Sequence, residues 1–436
     1  MSGLNIAIIG AGSTYTPELI DGFIKRKDEI SVEHITLMDI DSEKLKITAD
    51  MTMRMLTHAG MKTRVKTVLT YEEAIAGADF ILGQIRVGKL PARVLDERIP
   101  LKYGLIGQET TGIGGFMKAL RTIPVMGEIA ECIERINPDT WFINFSNPSG
   151  IIAEYLLNYT SVKMMGLCNV PINMKRDILA ELPDSGKGVH IEYLGLNHLS
   201  WVTAAWKANT AARRGTEDLL PGLLEKGSSL VSLNNIMGSE LDESLLRAVN
   251  AVPSPYLQYF YMRRKQLEHL LEEKQTRGEV CIDIERELVA LYQDVSIVEK
   301  PAILDKRGGH LYSEAAVALI SAIANDKHEV HTVDVKNNGA LSFMDNDDIV
   351  EVDCTISSEG AVPVPIKNFK NDHIIDLMRT VKAFERHAVK AGVTGDYREV
   401  VKALLIHPLM GDFDSAKKCF DELLAAHKDY LPQFSR

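Results

Sequence analysis

Two segments of this chain carry side chains that can bind a metal ion, each within two residues after a Gly-Leu pair. Cys168 lies in the stretch GLCNVP and His198 in the stretch GLNHLSW, each at the end of an apolar segment. A thiolate and an imidazole are suitable ligands for a transition metal. Their separation of 30 residues does not distinguish a metal site from a buried cysteine and a core histidine, so both interpretations stay open.

A glycine turn near the N-terminus is typical of a dinucleotide site. The stretch IAIIGAGSTYTPELI reads as a strand, a turn and a helix. Gly10 permits a tight turn, and Gly12 lets the backbone approach a pyrophosphate at the start of a helix. The pattern G-x-G-x-x-G would place a third glycine at position 15, where this chain has Tyr15. With Thr16 as a cap and Pro17 in the first helical position, the helix begins later and needs no close packing there.

Other polar residues near this turn fit the same ligand. Ser13 and Thr14 offer hydroxyl groups to a phosphate or to a nearby substrate. Asp39 ends the next predicted strand, where a carboxylate can hold the ribose hydroxyls and would repel the 2′-phosphate of NADP. The sequence therefore favours an NAD site over a turn with a purely structural role.

Basic and amide side chains follow several predicted strands. Arg86 and Arg93 lie in QIRVGKLPARVLDERIPLKYG, and Arg307 precedes two glycines in DKRGGHLYSEAA. Guanidinium groups at the carboxyl end of a strand can hold an anionic substrate group, although a solvated basic loop is an equal alternative. Asn147 precedes a proline in FSNPSG, at a strand end that either contacts a substrate or simply turns.

Three tyrosines occur close together in PSPYLQYFYM, namely Tyr256, Tyr259 and Tyr261. An aromatic patch of this kind normally packs in the core or on the surface. A catalytic tyrosine would need a depressed pKa. Spacing alone does not select one of the three.

The elements that position these residues alternate between strands and helices in the first part of the chain. We predict a buried strand over 5–10, a second strand over 34–40, and strands that run into loops over 78–85 and 140–150, with helices between them. This alternation predicts an α/β protein with an N-terminal Rossmann-type parallel sheet over residues 1–165. The less regular remainder, residues 166–436, is predicted to be an α+β substrate- and metal-binding domain. Its predicted elements are a strand over 190–202 and helices over 257–275, 279–293 and 413–428.

The composition excludes several other classes of protein. The chain has 436 residues and a net charge of −11, without a basic block, which argues against a nucleic-acid partner. No apolar run reaches the roughly 18 residues of a membrane span. The N-terminus lacks the features of a signal peptide. The five cysteines are odd in number and scattered, which predicts a reducing, cytoplasmic location without a disulfide framework.

Taken together, these stretches resemble the NAD- and metal-dependent glycoside hydrolase family 4, and within it the 6-phospho-β-glucosidases. The matching motifs are GAGSTYTPEL, RVGKLPARVLDERIPLKYGLIGQET, NFSNPSG, GLCNVP, GLNHLSW, IERELVALY, RGGHLYSEAA and AHKDYLPQF. They extend over essentially the full length of the chain. The resemblance implies a fold like that of lactate and malate dehydrogenases, and a homodimer or homotetramer.

The resemblance also implies roles for individual residues. Cys168 and His198 match the ligands of a divalent metal, usually Mn²⁺. Tyr256 matches the proposed base, with Tyr259 and Tyr261 as close alternatives. Asn169 follows the cysteine where α-specific relatives resemble CD, which points to β-glycosides. Substrate hydroxyls and the sugar 6-phosphate would be held by Asn147 and Arg93, joined by Arg86 or Arg307.

The chemistry that the resemblance implies is an exception to hydrolysis by two carboxylates. NAD⁺ takes the hydride from C3 of the sugar, a base removes the C2 proton, and the glycosidic oxygen leaves by elimination. The expected substrates are 6-phospho-β-glucosides such as cellobiose 6-phosphate, cleaved to glucose 6-phosphate and the aglycone. The alternatives are a 6-phospho-α-glucosidase or another family 4 glycosidase, a 2-hydroxyacid dehydrogenase, and a non-catalytic NAD-binding protein.

Two residues depart from the pattern that this resemblance leads us to expect. Ile113 stands where relatives commonly have proline, and His310 where they commonly have alanine. We expect both to lie in glycine-rich ligand loops, where they could alter the preference for the aglycone or the phosphate.

Overall fold

The computed structural model of the chain describes residues 3–207, 218–225, 241–309 and 311–435. Within these ranges, 12 strands belong to one sheet. The strands are β1 Leu4–Ile9, β2 Val32–Met38, β3 Arg64–Val68, β4 Phe80–Gly83, β5 Trp141–Asn144, β6 Met164–Gly166, β7 Val189–Leu196, β8 Leu199–Lys207, β9 Val252–Pro253, β10 Glu329–Lys336, β11 Ile349–Ser357 and β12 Gly360–Pro363.

Helices cover both faces of this sheet and connect its strands. In the described part of the chain they are α1 Thr16–Lys25, α2 Ser42–His58, α3 Tyr71–Ile75, α4 Lys89–Leu101, α5 Gly112–Ile136, α6 Ser149–Tyr159, α7 Val170–Ala180, α8 Leu220–Glu225, α9 Glu243–Val249, α10 Gln258–Tyr261, α11 Arg263–Glu272, α12 Arg277–Gln293, α13 Leu304–Arg307, α14 Tyr312–Ala324, α15 Asp372–Thr394, α16 Tyr397–Ile406 and α17 Phe413–Ala426. None of the helices described is both long and apolar enough to cross a bilayer.

The first six strands form a parallel sheet in the order β3-β2-β1-β4-β5-β6. Their side chains are apolar on both faces because helices cover both faces; Ile6, Ile8 and Ile9 of β1 are at most 1% exposed. This is the doubly wound order of dinucleotide-binding folds, and it places the loops after all six strands at one edge. The predicted α/β class and Rossmann-type sheet are confirmed.

Antiparallel strands extend the same sheet beyond β6, in the order β10-β11-β7-β8-β9, and β12 pairs with β11. One hydrophobic cluster extends from the first strand into the C-terminal helices. A second cluster of the described residues contains Cys168 and Tyr256. The predicted boundary between residues 165 and 166 lies within β6. The division of the chain into 1–165 and 166–436 remains a prediction.

Two predicted elements of the C-terminal part are wrong in detail. The strand expected over 190–202 is a hairpin of β7 and β8. Its turn is Asn197 and His198, and His198 has a φ of +65°. Alternation of apolar side chains continues through this turn, so periodicity does not reveal it. The helix expected over 257–275 is divided into α10 and α11 at Met262, whose φ of −120° interrupts the helical backbone.

Candidate active site

A cavity of about 740 Å³ opens at the carboxyl edge of the parallel strands, where both parts of the chain meet. Most of the predicted site residues line it, namely Gly10, Gly12, Ser13, Asp39, Arg86, Arg93, Asn147, Asn169, His198, Tyr256 and Arg307. Thr14 and Cys168 are buried just outside its wall. Predicted site residues up to 297 positions apart in the sequence, from Gly10 to Arg307, thus share one cavity.

The glycine turn has the geometry that a dinucleotide needs. Gly10 has a φ of +87°, and a Cβ there would lie 2.9 Å from the carbonyl oxygen of Gln84. A Cβ on Gly12 would lie 2.8 Å from the Asp39 carboxylate, which accepts a hydrogen bond from the Gly12 amide at 2.8 Å. Only glycine leaves these spaces open, so the turn and Asp39 fit a bound dinucleotide with its ribose at the carboxylate.

Tyr15 replaces the third glycine because its side chain reaches the C-terminal part of the chain. Its hydroxyl donates to the carbonyl oxygen of Gly309 at 2.6 Å. Its ring packs edge-on against Tyr312, with centroids 6.4 Å apart. Tyr15 therefore connects the glycine turn to the part of the cavity wall formed by Gly309 and Tyr312. Burial raises the pKa of Tyr15 well above its usual range.

The predicted helix cap and one predicted phosphate ligand lie elsewhere. Tyr15, not Thr16, is the residue before α1, and its side chain makes no capping hydrogen bond. Thr16 Oγ1 instead donates to the Ala11 carbonyl oxygen at 2.8 Å. Thr14 is 1% exposed and is not among the residues that line the cavity, and its Oγ1 has no partner among the described residues. A role for Thr14 in cofactor binding remains a prediction.

His198 lies directly against Tyr256 in the cavity wall. The two rings are stacked with centroids 3.9 Å apart and an interplanar angle of 11°. His198 is 4% exposed, and burial lowers its pKa to about 3, so the imidazole is neutral and able to coordinate a metal. Its buried Nδ1 has no hydrogen-bond partner among the described residues. An unpaired neutral imidazole nitrogen is what a metal ligand requires.

Cys168 lies two residues after the end of β6 and contacts a residue of the cavity wall. The Tyr312 hydroxyl donates to its Sγ at 3.7 Å, and Tyr312 itself lines the cavity. Burial raises the pKa of the Cys168 thiol well above its usual range. No group of three or more His, Cys, Asp or Glu side chains suited to a metal occurs in the described ranges. A cation held by Cys168 and His198 would take its other ligands from substrate or water.

The structure separates the three candidate tyrosines. Only Tyr256 lines the cavity. Tyr259 is 5% exposed and lies near the Arg93–Glu97 pair. Tyr261 accepts from Trp201 Nε1 at 3.1 Å, and its oxygen lies 3.0 Å from His373 Nε2. Burial, followed by the charge of Cys168, raises the pKa of Tyr256, so the protein alone does not ionise it.

A charged cluster lines the cavity around Glu109. Its carboxylate is bound by Arg86, by Arg93 Nη1 at 2.8 Å and by Lys118 Nζ at 2.8 Å. Although burial opposes ionisation, these cations hold the pKa of Glu109 well below its usual range. Arg93 also pairs with Glu97 at 2.8 Å, so two carboxylates already neutralise the predicted phosphate ligand.

Arg307 is the arginine of this cavity without such a carboxylate. Its guanidinium makes no hydrogen bond or ion pair among the described residues, and its Nε is buried and unpaired. Burial and the nearby Arg86 lower its pKa. An uncompensated guanidinium in a cavity wall is well suited to a phosphate.

Sequence reasoning missed three residues of the site. Lys118 lies in the interior of α5, Tyr312 is the first residue of α14, and Gln84 directly follows β4. Burial and Arg86 lower the pKa of Lys118 to about 7. No local pattern marks Lys118 as a site residue, since it lies inside a helix nine positions after Glu109. Of the two expected departures, Ile113 is a buried residue in the first turn of α5 and not a loop residue, and His310 is outside the described residues.

The fold and the cavity define a class: an α/β protein in which a dinucleotide-type glycine turn and polar side chains of the C-terminal part line one cavity. The comparison with protein families is more specific. Residues 5–183 match the model of the family 4 glycosyl hydrolases, and residues 193–410 match the model of their C-terminal domain. The chain belongs to glycosyl hydrolase family 4.

Relatives with assigned activities are similar over nearly the whole chain. The probable 6-phospho-β-glucosidase of Bacillus subtilis is 42% identical, over 99% of this chain and 98% of that protein. A 6-phospho-α-glucosidase of Leptotrichia buccalis is 29% identical over 99% of each chain.

Solved structures show the same fold. The 6-phospho-β-glucosidase of Thermotoga maritima, solved with NAD and glucose 6-phosphate, has a TM-score of 0.89, 34% identity, and coverage of 98% of this chain and 99% of that one. It was also solved with manganese, and that structure has a TM-score of 0.87. A lactate dehydrogenase of Eimeria maxima, with a TM-score of 0.51 and 14% identity over 91% of this chain and 96% of its own, shares the fold alone. The predicted dehydrogenase-like architecture is confirmed.

Proposed function

We propose that this protein hydrolyses 6-phospho-β-glucosides to glucose 6-phosphate and the aglycone, with NAD⁺ and a divalent metal such as Mn²⁺. The observation that carries the proposal is the stack of His198 on Tyr256 in the cavity that also contains the glycine turn. It supports the proposal because it puts a proposed metal ligand and a proposed proton acceptor side by side, in the same cavity as the glycine turn. Greater identity to 6-phospho-β-glucosidases than to the α-specific relative supports the β linkage over the α alternative.

When bound, NAD⁺ supplies a reversible hydride acceptor and Mn²⁺ a Lewis acid. Gly10, Gly12 and Asp39 would hold the dinucleotide, and Cys168 and His198 would hold the metal. The buried Oδ1 of Asn147 has no partner among the described residues, which leaves it available to a sugar hydroxyl. Asn169 lines the same cavity and would help to orient the sugar.

Tyr256 would remove the C2 proton of the sugar once C3 is a ketone. Its stacking on His198 fixes the ring, so the hydroxyl has one position relative to the cavity. Because burial raises its pKa, Tyr256 depends on a neighbouring positive charge to act as a base near neutral pH. A cation bound by His198 would provide this positive charge, because His198 stacks directly on Tyr256.

Arg307 would bind the 6-phosphate, with Arg86 and Arg93 contributing to the positive field. Replacing Arg307 by methionine is expected to raise KM for phosphorylated substrates about 10–100-fold, since a charged hydrogen bond contributes about 1.5–3 kcal/mol. The affinity for NAD⁺, measured by calorimetry, should not change. Equal losses for phosphorylated substrate and NAD⁺ would contradict this role.

The corresponding change at Arg93 is expected to behave differently. Arg93→Met leaves Glu97 and Glu109 in a buried environment with one cation fewer. We therefore expect a lower midpoint in urea unfolding together with the change in KM, because an uncompensated buried charge destabilises the fold. A KM effect at Arg93 without loss of stability would make Arg93 the main phosphate ligand.

Asp39 provides a separate test of cofactor binding. Asp39→Ala is expected to weaken NAD⁺ binding about tenfold, because it removes an acceptor for ribose hydroxyls worth about 1.4 kcal/mol. The same variant should bind NADP⁺ no worse than the unchanged protein, since it lacks the charge that repels the 2′-phosphate. Calorimetric titrations of both cofactors measure the ratio, and an unchanged preference for NAD⁺ would show that Asp39 does not set it.

The function itself is tested by hydrolysis of p-nitrophenyl 6-phospho-β-glucoside in D₂O with NAD⁺, Mn²⁺ and a reductant. We expect deuterium at C2 of the released sugar, detected by NMR. A panel of α- and β-linked glycosides, with and without the phosphate, sets the specificity. Cleavage of only α-linked or unphosphorylated sugars would contradict the proposal. A homodimer or homotetramer and a cytoplasmic location remain predictions.

A further inference from the structure

Two buried carboxylic acids face each other behind the candidate metal ligands. Asp334 on β10 and Glu351 on β11 are directly opposite in the antiparallel register. Each is 1% exposed. Like charges directly opposite across a sheet destabilise it, and burial of an acid without a cation adds to that cost. The pair therefore costs stability, and apolar packing gives no reason for two acids at these positions.

The described residues contain no ion pair to either acid. The two lysines whose charges reach them are engaged with other carboxylates: Lys175 pairs with Asp353, and Lys382 pairs with Glu154 and Glu385. Oδ1 of Asp334 has no hydrogen-bond partner in this part of the chain. Burial raises the pKa of Asp334 to about 6, and burial together with the Asp334 charge raises that of Glu351. Within the described ranges, the pair therefore has no cation in an ion pair with it.

Asp334 contacts the segments that precede Cys168 and follow Asn147. Its Oδ2 accepts from Ser149 Oγ at 2.5 Å, two residues after Asn147. A Cβ on Gly166, two residues before Cys168, would lie 2.6 Å from the same oxygen. A larger side chain at Gly166 would push the carboxylate and β6 apart.

Glu351 contacts the turn that contains His198. Its Oε1 accepts from Asn197 Nδ2 at 3.2 Å, and Asn197 Oδ1 accepts from the Gly150 amide at 3.4 Å. Its Oε2 accepts from the Tyr193 hydroxyl at 2.5 Å. The residue beside the histidine is thus tied both to the acid pair and to the start of α6.

We propose that Asp334 and Glu351 are positioning residues of the metal site. They align the three segments that carry the proposed metal-binding and substrate-binding side chains. A bound divalent cation would favour their ionised forms, so that they supply negative charge behind it. Partners behind the direct ligands commonly set ligand orientation and metal affinity in this way. The inference rests on the proposed function, which includes the cation.

The test is Mn²⁺ binding to the full-length protein, measured by the EPR signal of free Mn²⁺ without substrate. D334N/E351Q is expected to weaken Mn²⁺ binding about tenfold or more. NAD⁺ affinity, measured by calorimetry, should be unchanged. The single variant E351Q, almost identical in shape, should weaken Mn²⁺ binding in the same direction and serves if the double variant does not fold. D353N is the matched control, because Asp353 lies two residues along the same strand but is paired with Lys175.

Wild-type Mn²⁺ affinity in both D334N/E351Q and E351Q would overturn the inference, as would an equal loss in D353N or a parallel loss of NAD⁺ binding. Absence of Mn²⁺ binding by the unchanged protein would also overturn it. If the protein binds Mn²⁺ but does not cleave 6-phospho-β-glucosides, the proposed function fails while the binding comparison still decides this inference.

Discussion

Tyr256→Phe is expected to lower kcat for a 6-phospho-β-glucoside about 10²–10⁴-fold, the usual contribution of a positioned general base. Phenylalanine keeps the ring that stacks on His198 and removes only the hydroxyl. KM and NAD⁺ affinity should therefore change little, because the loss concerns a step after binding. Steady-state kinetics give kcat and KM, and incorporation of solvent deuterium at C2 should fall in the same proportion.

Two neighbouring tyrosines provide controls for this experiment. Tyr259→Phe and Tyr261→Phe remove hydroxyls from the same short segment, but neither residue lines the cavity. Both variants should retain C2 exchange and most of the activity. If Tyr259→Phe or Tyr261→Phe loses exchange while Tyr256→Phe retains it, the base has been assigned to the wrong residue.

Cys168→Ser is expected to lower metal-dependent activity about 10³-fold, since a Lewis acid contributes several kcal/mol. The substitution removes the soft thiolate and nearly keeps the volume of the side chain. Mn²⁺ affinity should fall together with the activity, and a large excess of Mn²⁺ should restore part of it. Removal of metal from the unchanged protein with a chelator should reproduce the loss reversibly.

The matched control is Cys132→Ser on α5. Cys132 is a buried cysteine whose Sγ lies 3.5 Å from Glu72 Oε1, and it does not line the cavity. Its substitution should leave Mn²⁺ binding and activity unchanged. If Cys168→Ser keeps full Mn²⁺ affinity, Cys168 is a structural cysteine, which is the alternative that the sequence left open.

Local sequence patterns account for the parallel half of the fold. The apolar runs that predict strands near residues 5–10, 34–40, 78–85 and 140–150 correspond to β1, β2, β4 and β5, with boundaries that shift by a few residues. A buried parallel strand needs apolar side chains on both faces, so its signal lies within its own residues. The glycine turn is equally local, because backbone conformation at Gly10 depends on the residue itself.

The hairpin turn at His198 and the choice of Tyr256 were decided only by the tertiary structure. Alternation continues through the turn, and three tyrosines within six positions look alike until the cavity distinguishes them. The turn is bound by Glu351 of β11 through Asn197, and the Tyr256 ring is held by its stack on His198. Each contact joins residues that are far apart in the sequence.

The charge balance of the site was also decided at this level. Sequence spacing placed Arg86, Arg93 and Arg307 as equivalent candidates, but Glu97 and Glu109 neutralise Arg93 and leave Arg307 uncompensated. The role of Tyr15 was likewise not predictable from local sequence, since its hydroxyl donates to Gly309, 294 positions away. The sequence by itself determined which side chains are present and which strands form. Their distances, charges and partners arise from contacts between distant segments, because burial and electrostatic interaction depend on separation in space and not along the chain.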